Sequence, residues 1–205
     1  TESSWKKDGT RVTVVDETIS GELFLPLSNA FPEDDYFSEE SIETPDPVPL
    51  KAEFCWLLDP VDGTNNYAVG VTECGISLGL LRHGTPIYGF IYDYSRDKLL
   101  QGGPLFGSIE GTQPVRAATE LVNEKLTFCM HFPIPTDDLD LLRPKLKDWR
   151  IRSPGSAAMG MSNVATGRLD GCLEFRPKPW DGAAGYPICE GAGATFGFVR
   201  EACFP

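Results

Sequence analysis

Two aspartates, Asp59 and Asp62, stand three residues apart at the end of a hydrophobic run, in the segment WLLDPVDGTNNY (residues 56–67). The run predicts a buried β-strand. Pro60 fixes the backbone between the acids, and Gly63 permits a tight turn directly after them. We therefore expect both carboxylates to converge where the strand ends, at the edge of the core. Two carboxylates in such a place are costly unless a cation lies between them.

A hard divalent ion, with Mg²⁺ as the first expectation, binds oxygen donors, keeps part of its water and pairs readily with phosphate. Thr64 follows with a hydroxyl and a backbone amide at the start of the next segment, where amides hold phosphate oxygens. The alternative is an ordinary surface turn, because Asp-Pro and Asp-Gly occur wherever a chain reverses direction. The apolar residues CWLL before the turn favour the metal site, since they indicate that the turn leaves buried structure.

Composition argues against several classes of protein. The chain has 205 residues, of which 41% are hydrophobic, enough for one large domain or two small lobes. Its 18 basic and 30 acidic side chains give a net charge of −12, which disfavours nucleic acid and anionic membranes as partners. No apolar run approaches the ~20 residues of a membrane span. The six scattered cysteines and two histidines lack the spacing of a zinc site and favour free thiols in the cytoplasm.

The order of the segments predicts an α/β (α+β) fold with two lobes. Residues 1–120 form the first, sheet-rich lobe, which carries the metal-binding acids and consists largely of an antiparallel meander. Residues 121–205 form an α/β lobe, in which strands and helices alternate. Within the second lobe we predict a strand at 125–133, helices at 137–146 and 155–167, a strand at 168–175, and a helix followed by a strand at 180–199.

Two separated motifs, DPVDGTNNY (59–67) and WDGAAG (180–185), resemble the two signatures of the inositol monophosphatase family of metal-dependent, lithium-sensitive phosphatases, whose superfamily includes fructose-1,6-bisphosphatase. Three further stretches resemble family segments in the same order, namely DGTRVTVVD, FSEES and GSAAMGMSNVATGRLDGCLE. The resemblance covers nearly the whole chain. It implies a layered α-β-α-β-α sandwich, and it implies that terminal segments of the family are absent from this chain.

DGT also ends the DxDGT nucleophile motif of haloacid dehalogenase-type phosphatases, but those aspartates are two residues apart, so the spacing here argues against an aspartyl phosphate. This chain also departs from its own family's pattern. Ser38 stands where the family has glycine, and Pro187 is expected to kink or shorten a helix.

The resemblance implies a role for each matching residue. The implied metal ligands are Glu39, Asp59, the carbonyl of Val61, Asp62 and Asp181. The implied catalytic residues are Glu39, Asp59 and Thr64, with Glu39 and Thr64 orienting the attacking water. The implied substrate contacts are Asp62, Gly63, Thr64, Gly155, Ser156, Ala157, Glu174 and Asp181, and Asp16 and Glu40 are implied as supporting acids behind the ligands.

Simpler interpretations exist for several of these residues. Asp181 could cap a helix, Glu39 and Glu40 could form a solvated acidic face, and Glu174 could pair with a basic neighbour on the surface. Their joint occurrence in the family's order argues against these alternatives.

The implied function is hydrolysis of a small phosphomonoester by a metal-activated water, with inositol or a related polyol monophosphate as the first expectation. Phosphatases of a sugar bisphosphate, of histidinol phosphate or of 3'-phosphoadenosine 5'-phosphate, and a non-catalytic protein that binds a phosphorylated ligand, remain alternatives. The resemblance also implies two or three Mg²⁺ ions, Mn²⁺ as a substitute, inhibition by Li⁺ and Ca²⁺, a cytoplasmic location and a homodimer.

Overall fold

A long helix follows two short strands at the start of the chain. Strands β1 (Ser3–Trp5) and β2 (Arg11–Thr13) pair antiparallel, and α1 (Val14–Ala30) begins directly after β2. This arrangement comes from a computed structural model, which describes residues 3–5, 11–41 and 48–198. The sequence predicted a strand or a helix start within residues 6–19 but not the length of α1, and its predicted Asp-Gly turn lies outside the described residues.

A seven-stranded sheet follows, and its strands lie side by side in the order of the chain. The strands are β3 (Asp35–Ser38), β4 (Phe54–Asp62), β5 (Gly75–Arg82), β6 (Thr85–Asp93), β7 (Lys98–Gly103), β8 (Gly107–Glu110) and β9 (Gln113–Val115). A 3-10 turn (Glu39–Ser41) follows β3, and α2 (Thr64–Val69) follows β4. The pairs from β4 to β9 are antiparallel, which confirms the predicted meander. Strands β3 and β4 are parallel, so the sheet as a whole is mixed.

The second part of the chain alternates strands and helices, as predicted. Strand β10 (Thr127–Met130) lies between β11 (Arg150–Arg152) and β12 (Gly171–Leu173), and both pairings are parallel. The helices are α3 (Thr136–Leu146), α4 (Ala157–Ala165), α5 (Pro179–Ala183) and α6 (Gly185–Gly191). The α/β fold class is therefore confirmed, while the lobe boundary near residue 120 stays a prediction. None of the described helices is both long and apolar enough to cross a membrane.

The segment 180–199 differs from the predicted helix and strand. It forms two short helices that meet at Ala184, and none of the described residues after Gly191 forms a strand. Pro187 lies in the first turn of α6, where its missing N–H removes no helical hydrogen bond. The proline is therefore compatible with α6, and the break falls before it.

Strand β4 is buried on both faces because helices cover both sides of the sheet. Trp56 and Leu58 face one way and pack with side chains of α1, such as Phe24. Cys55 and Leu57 alternate with them and pack against α5. This explains why β4 is apolar throughout rather than alternating, as expected for a strand with two covered faces. It also places the end of β4 between helices, well inside the protein.

We predict that Gly79→Ala in β5 destabilises the protein by about 1–3 kcal/mol, because overpacking forces a backbone shift. A Cβ at Gly79 would lie 2.5 Å from the carbonyl carbon of Ala183 in α5. Gly21→Ala in α1 is the matched control, since a Cβ there meets no heavy atom within 4 Å. Removing a helical glycine is expected to stabilise by about 0.5–1 kcal/mol. Urea denaturation measures both changes, and equal stability of the Gly79→Ala and wild-type proteins would contradict the prediction.

Candidate active site

The carboxyl end of β4 carries two nearly buried acids, Asp59 and Asp62, which are 3% and 7% exposed. The register of β4 against β5 shifts between them, so the strand bulges at this point. The Asp59 carboxylate accepts a hydrogen bond from the Val61 amide at 3.1 Å, and the Val61 carbonyl accepts one from the Thr64 hydroxyl at 2.8 Å. Gly63 has a φ of +88°, in the left-handed region that favours glycine. The residues after β4 thus form the predicted tight turn.

Asp59 lies at the electrostatic centre of a group of acids. Burial raises its pKa well above the ordinary value, and the negative charges of Glu39, Asp62, Asp181 and Asp16 raise it further. These acids come from the 3-10 turn after β3, from β4, from α5 and from α1. The fold therefore brings together acids that are up to 165 residues apart in the chain, counting from Asp16 to Asp181.

The start of α4 holds Asp62 in place. The Ser156 hydroxyl and the Ala157 amide donate to its carboxylate at 3.1 and 3.3 Å, and the Ala158 amide donates as well. Burial raises the pKa of Asp62 to about 6, against the lowering effect of the hydrogen bonds from Ala158 and Ser156. The residues predicted to line the substrate are thus in direct contact with a predicted metal ligand.

Asp181 both caps its helix and faces the acids. Its carboxylate accepts a hydrogen bond from the Lys178 amide at 2.6 Å, which is the capping role of the simpler interpretation. Burial and then the charge of Asp62 raise the pKa of Asp181 to about 8. The cap accordingly fixes the orientation of a carboxylate that points toward other acids.

The donor set of the site suits a hard cation. Asp59, Asp62 and Asp181 offer carboxylate oxygens whose charge is not neutralised by a basic side chain in the contacts described above, and buried like charges of this kind are stabilised by a bound cation. Within the described residues, a compact set of three ligand atoms, all within 4.8 Å of one another, occurs elsewhere, at Cys129, His131 and Glu174. The acids around Asp59 are therefore more widely spaced than a closed cage, as expected for carboxylates that repel each other.

The two predicted supporting acids lie in α1 and in the 3-10 turn after β3. Asp16 is 1% exposed, and the amide and hydroxyl of Thr13 donate to it at 2.7 and 2.6 Å, which orients the acid beside Asp59. Glu40 lies next to Glu39 in the 3-10 turn, and its amide donates to the Ser38 hydroxyl at 3.4 Å.

The loop before α4 contributes two further predicted residues, Gly155 and Ser156. Gly155 has a φ of +75°, and a Cβ there would lie 3.1 Å from the Asn66 side chain. Ser156 caps α4 by accepting from the Met159 amide at 3.2 Å. The start of α4 is thus fixed against the segment that follows Asp62.

Glu174 follows β12, and its negative charge raises the pKa of both Asp62 and Asp181, so it faces the same acids. Its two carboxylate oxygens each lie 2.6 Å from Nδ1 of His131. The simpler interpretation was that Glu174 pairs with a basic neighbour on the surface. In the structure its carboxylate contacts His131 instead.

Spacing along the sequence indicated no zinc site and did not reveal that Cys129, His131 and Glu174 lie together in the fold. Parallel pairing places Cys129 opposite Cys172, which brings together segments 43 residues apart. The available signal was the matching spacing of Cys-x-His at 129–131 and Cys-x-Glu at 172–174. This spacing is informative only if β10 and β12 are known to pair, and the sequence does not show that pairing.

Comparison with known proteins agrees with the geometry. A fructose-1,6-bisphosphatase/inositol-1-monophosphatase of Aquifex aeolicus is 30% identical over 196 residues, which cover 93% of this chain and 73% of that protein. An inositol-1-monophosphatase of Bacillus subtilis is 33% identical over 146 residues, covering 69% of this chain and 55% of that protein. The chain thus spans between about half and three quarters of the length of these relatives.

The fold is also similar to a solved structure. The extragenic suppressor protein suhB of Bartonella henselae superposes with a TM-score of 0.83 at 28% identity, over 94% of this chain and 75% of that one. The sequence model of the inositol monophosphatase family matches residues 1–201. With this match over almost its full length, the chain belongs to the inositol monophosphatase family, whose members are phosphatases.

Proposed function

We propose that this chain hydrolyses a small phosphomonoester with Mg²⁺ as the working cation, and that its substrate is inositol monophosphate or a related polyol monophosphate. The observation that carries the proposal is the convergence of acids on Asp59, beside backbone amides at the turn after β4. The names of the Aquifex aeolicus and Bacillus subtilis relatives support the same substrate class.

The proposed cation ligands are Glu39, Asp59, the Val61 carbonyl, Asp62 and Asp181. When bound, Mg²⁺ would offset their charge and stabilise the negative charge of the phosphoryl group in transfer. The Val61 carbonyl has two lone pairs and accepts the hydrogen bond from the Thr64 hydroxyl with one, so the other is available to a cation. The hydrogen bonds to Asp62 and Asp181 fix two of the carboxylates before any ion binds.

The protein groups then position the reactants. We propose that Glu39 and the Thr64 hydroxyl orient the attacking water, and that the Gly63 and Thr64 amides hold phosphate oxygens. Thr64 is suited to this task because its hydroxyl already donates to Val61 and keeps its lone pairs for a water.

Recognition of the alcohol part falls to a different residue. We propose that Glu174 accepts hydrogen bonds from polyol hydroxyls, with His131 holding its carboxylate in place. The neutral, hydroxyl-rich part of the substrate therefore lies on the Glu174 side of the acids.

A phosphate-release panel tests the proposal. Inositol monophosphate, fructose 1,6-bisphosphate, histidinol phosphate and 3'-phosphoadenosine 5'-phosphate are compared with and without Mg²⁺ and Li⁺. We expect Mg²⁺-dependent release that is fastest with the inositol ester and is inhibited by Li⁺. Glu174→Gln is expected to raise the KM for the inositol ester by about tenfold, the value of one hydrogen bond to a charged acceptor. Exposed Asp148 supplies the control variant, Asp148→Asn, with unchanged kinetics.

Two other results are informative. Equal rates on all four esters would indicate a broad phosphatase. Phosphate binding without release from any ester would contradict the proposal and favour the non-catalytic alternative. The homodimer, the cytoplasmic location and the effects of Mn²⁺ and Ca²⁺ stay predictions.

A further inference from the structure

A mixed cluster of donors lies beside the acids and is formed by Cys129, His131, Cys172 and Glu174; we refer to it as the thiol-imidazole cluster. Ligand atoms of Cys129, His131 and Glu174 all lie within 4.8 Å of one another. The Cys172 thiol adjoins them and donates to Glu174 at 3.1 Å. Sulfur, nitrogen and oxygen donors in this combination are the ligands that tetrahedral Zn²⁺ prefers in proteins.

We propose that the thiol-imidazole cluster is a second metal site, distinct from the acids around Asp59, and that it binds one Zn²⁺ ion. Zinc bond lengths and tetrahedral angles require about 3.3–3.8 Å between neighbouring ligand atoms. Cys129 Sγ and His131 Nε2 are 3.7 Å apart, already within this range. The ligand atoms of the set lie within 4.8 Å of one another, so zinc binding requires shifts of about 1 Å. The Glu174 carboxylate, 2.6 Å from Nδ1 of His131, has to move away from that nitrogen to reach the ion.

Regular secondary structure holds the two sulfurs in place. Cys129 of β10 and Cys172 of β12 are direct partners in a parallel pair. Gly160 of α4 packs against both, because a Cβ there would lie 2.7 Å from one sulfur and 2.9 Å from the other. Three elements thus fix the sulfur positions, as expected of a metal site built on rigid structure.

Metal binding by the cluster is expected to release protons, because zinc binds thiolates and neutral imidazole rather than thiols and imidazolium.

The cluster is partly accessible to solvent. His131 and Glu174 have side chains that are 16% and 15% exposed, while Cys129 is fully buried beneath them. Zn²⁺ bound here would occupy the Glu174 carboxylate that we propose as the acceptor for the polyol. Zinc at this site is therefore expected to raise the KM for substrate, a consequence that rests on the proposed function, whereas the binding itself does not.

The test is metal binding by the whole chain, kept reduced with a phosphine and supplied with excess Mg²⁺ to occupy the acids. Co²⁺ serves as the spectroscopic probe, because thiolate ligands give it a charge-transfer absorption that carboxylate ligands do not. We expect saturation at one Co²⁺ per chain, displacement by one Zn²⁺, and Zn²⁺ affinity measured against a chromophoric chelator. Cys129→Ser and His131→Gln are each expected to weaken Zn²⁺ binding at least about tenfold, or about 1.4 kcal/mol.

Two variants control for accidental binding. His83 is 69% exposed beside Glu53, so His83→Gln removes an exposed histidine next to an acid. Cys55→Ser removes a thiol buried in the main sheet. Both should keep the Co²⁺ spectrum and the Zn²⁺ affinity of the wild-type protein. His131 is partly exposed, so His131→Gln remains informative if Cys129→Ser fails to fold.

Absence of the charge-transfer band in the wild-type protein, or a band that persists unchanged in His131→Gln, would overturn the proposed site. If the chain binds Zn²⁺ but releases no phosphate, the proposed zinc site is retained and only its expected effect on the KM for substrate is contradicted. A chain that releases phosphate but shows no band would remove the zinc site and leave the proposed function intact. The two proposals therefore fail in distinguishable ways.

Discussion

Asp59→Asn is expected to lower the rate of Mg²⁺-dependent phosphate release at least about a thousandfold, which corresponds to about 4 kcal/mol of transition-state stabilisation. Asp59 is the acid on which the charges of Glu39, Asp62 and Asp181 all act. The amide keeps the shape of the side chain and an oxygen that accepts from the Val61 amide, while it removes the charge that a cation requires. The measurement is kcat over a Mg²⁺ titration that reaches saturation.

The same substitution is expected to stabilise the protein when metal is absent. A buried carboxylate with a raised pKa destabilises the fold at neutral pH, and the neutral amide removes this repulsion. We expect the Tm of Asp59→Asn in EDTA to exceed that of the wild-type protein by roughly 5 °C, on the scale of 2–4 °C per kcal/mol for a chain of this size. With saturating Mg²⁺ the order reverses, because only the wild-type protein gains the full binding energy of the ion.

Asp93→Asn is the matched control, because Asp93 is also nearly buried but has a basic partner. Its carboxylate lies 2.6 Å from Arg96 and accepts from Ser95 at 2.7 Å. Burial would raise the pKa of Asp93, but these hydrogen bonds outweigh it and lower the pKa. Asp93→Asn should therefore destabilise by about 1–3 kcal/mol, equally with and without Mg²⁺. Near-normal turnover of Asp59→Asn, or a Tm change that is the same in EDTA and Mg²⁺, would contradict the assignment.

The part of the site that sequence could predict is the part made by local structure. Asp59, Pro60 and Asp62 lie on one strand end, and Gly63 adopts the positive φ that the turn requires. An apolar run, a proline and a glycine fix such a turn through backbone sterics alone. The family resemblance added the distant residue Asp181, whose place in the fold depends on contacts that composition and spacing do not report.

The part that could not be predicted depends on pairing between distant segments. Strand β3 is parallel to β4, and both strands pack against α1, through Tyr36 and Trp56. The thiol-imidazole cluster likewise depends on parallel pairing of β10 with β12, which sets Cys129 opposite Cys172. The pairing of distant strands is decided by the burial of whole sheet faces. The residues that it brings together therefore show no local sequence pattern.

The metal-free protein is expected to lose thermal stability as the pH rises from about 4 to about 8. The pKa of Asp62 is raised to about 6 and that of Asp181 to about 8, above the ~3.9 of an unfolded aspartate. The pKa of Asp59 is raised in the same direction. A raised pKa contributes stability that is fully present below the unfolded value and is lost as the pH rises through the folded value. The loss therefore spans this window.

Other groups with shifted pKa values do not reverse the loss of stability with rising pH. The pKa of Asp93 is lowered, so its contribution is present above the unfolded pKa and disappears only as the pH falls below the window. His131 and Cys129 shift in opposite directions, to about 10 and about 6, so their contributions offset each other near neutral pH. The slope between pH 4 and 8 therefore reports mainly the acids at the end of β4 and in α5.

Saturating Mg²⁺ is expected to flatten the pH dependence, because the ion binds the deprotonated carboxylates and its stabilisation grows as protons leave. Scanning calorimetry at intervals from pH 4.5 to 8.5, in EDTA and in Mg²⁺, measures both curves. We expect the Tm in EDTA to fall by roughly 5–10 °C across the window, from a few kcal/mol of linked protonation. Asp181→Asn should remove the upper part of the fall, because it deletes the group that titrates near 8. A Tm in EDTA that rises over the window, or two parallel curves, would show that these acids neither repel one another nor share a cation.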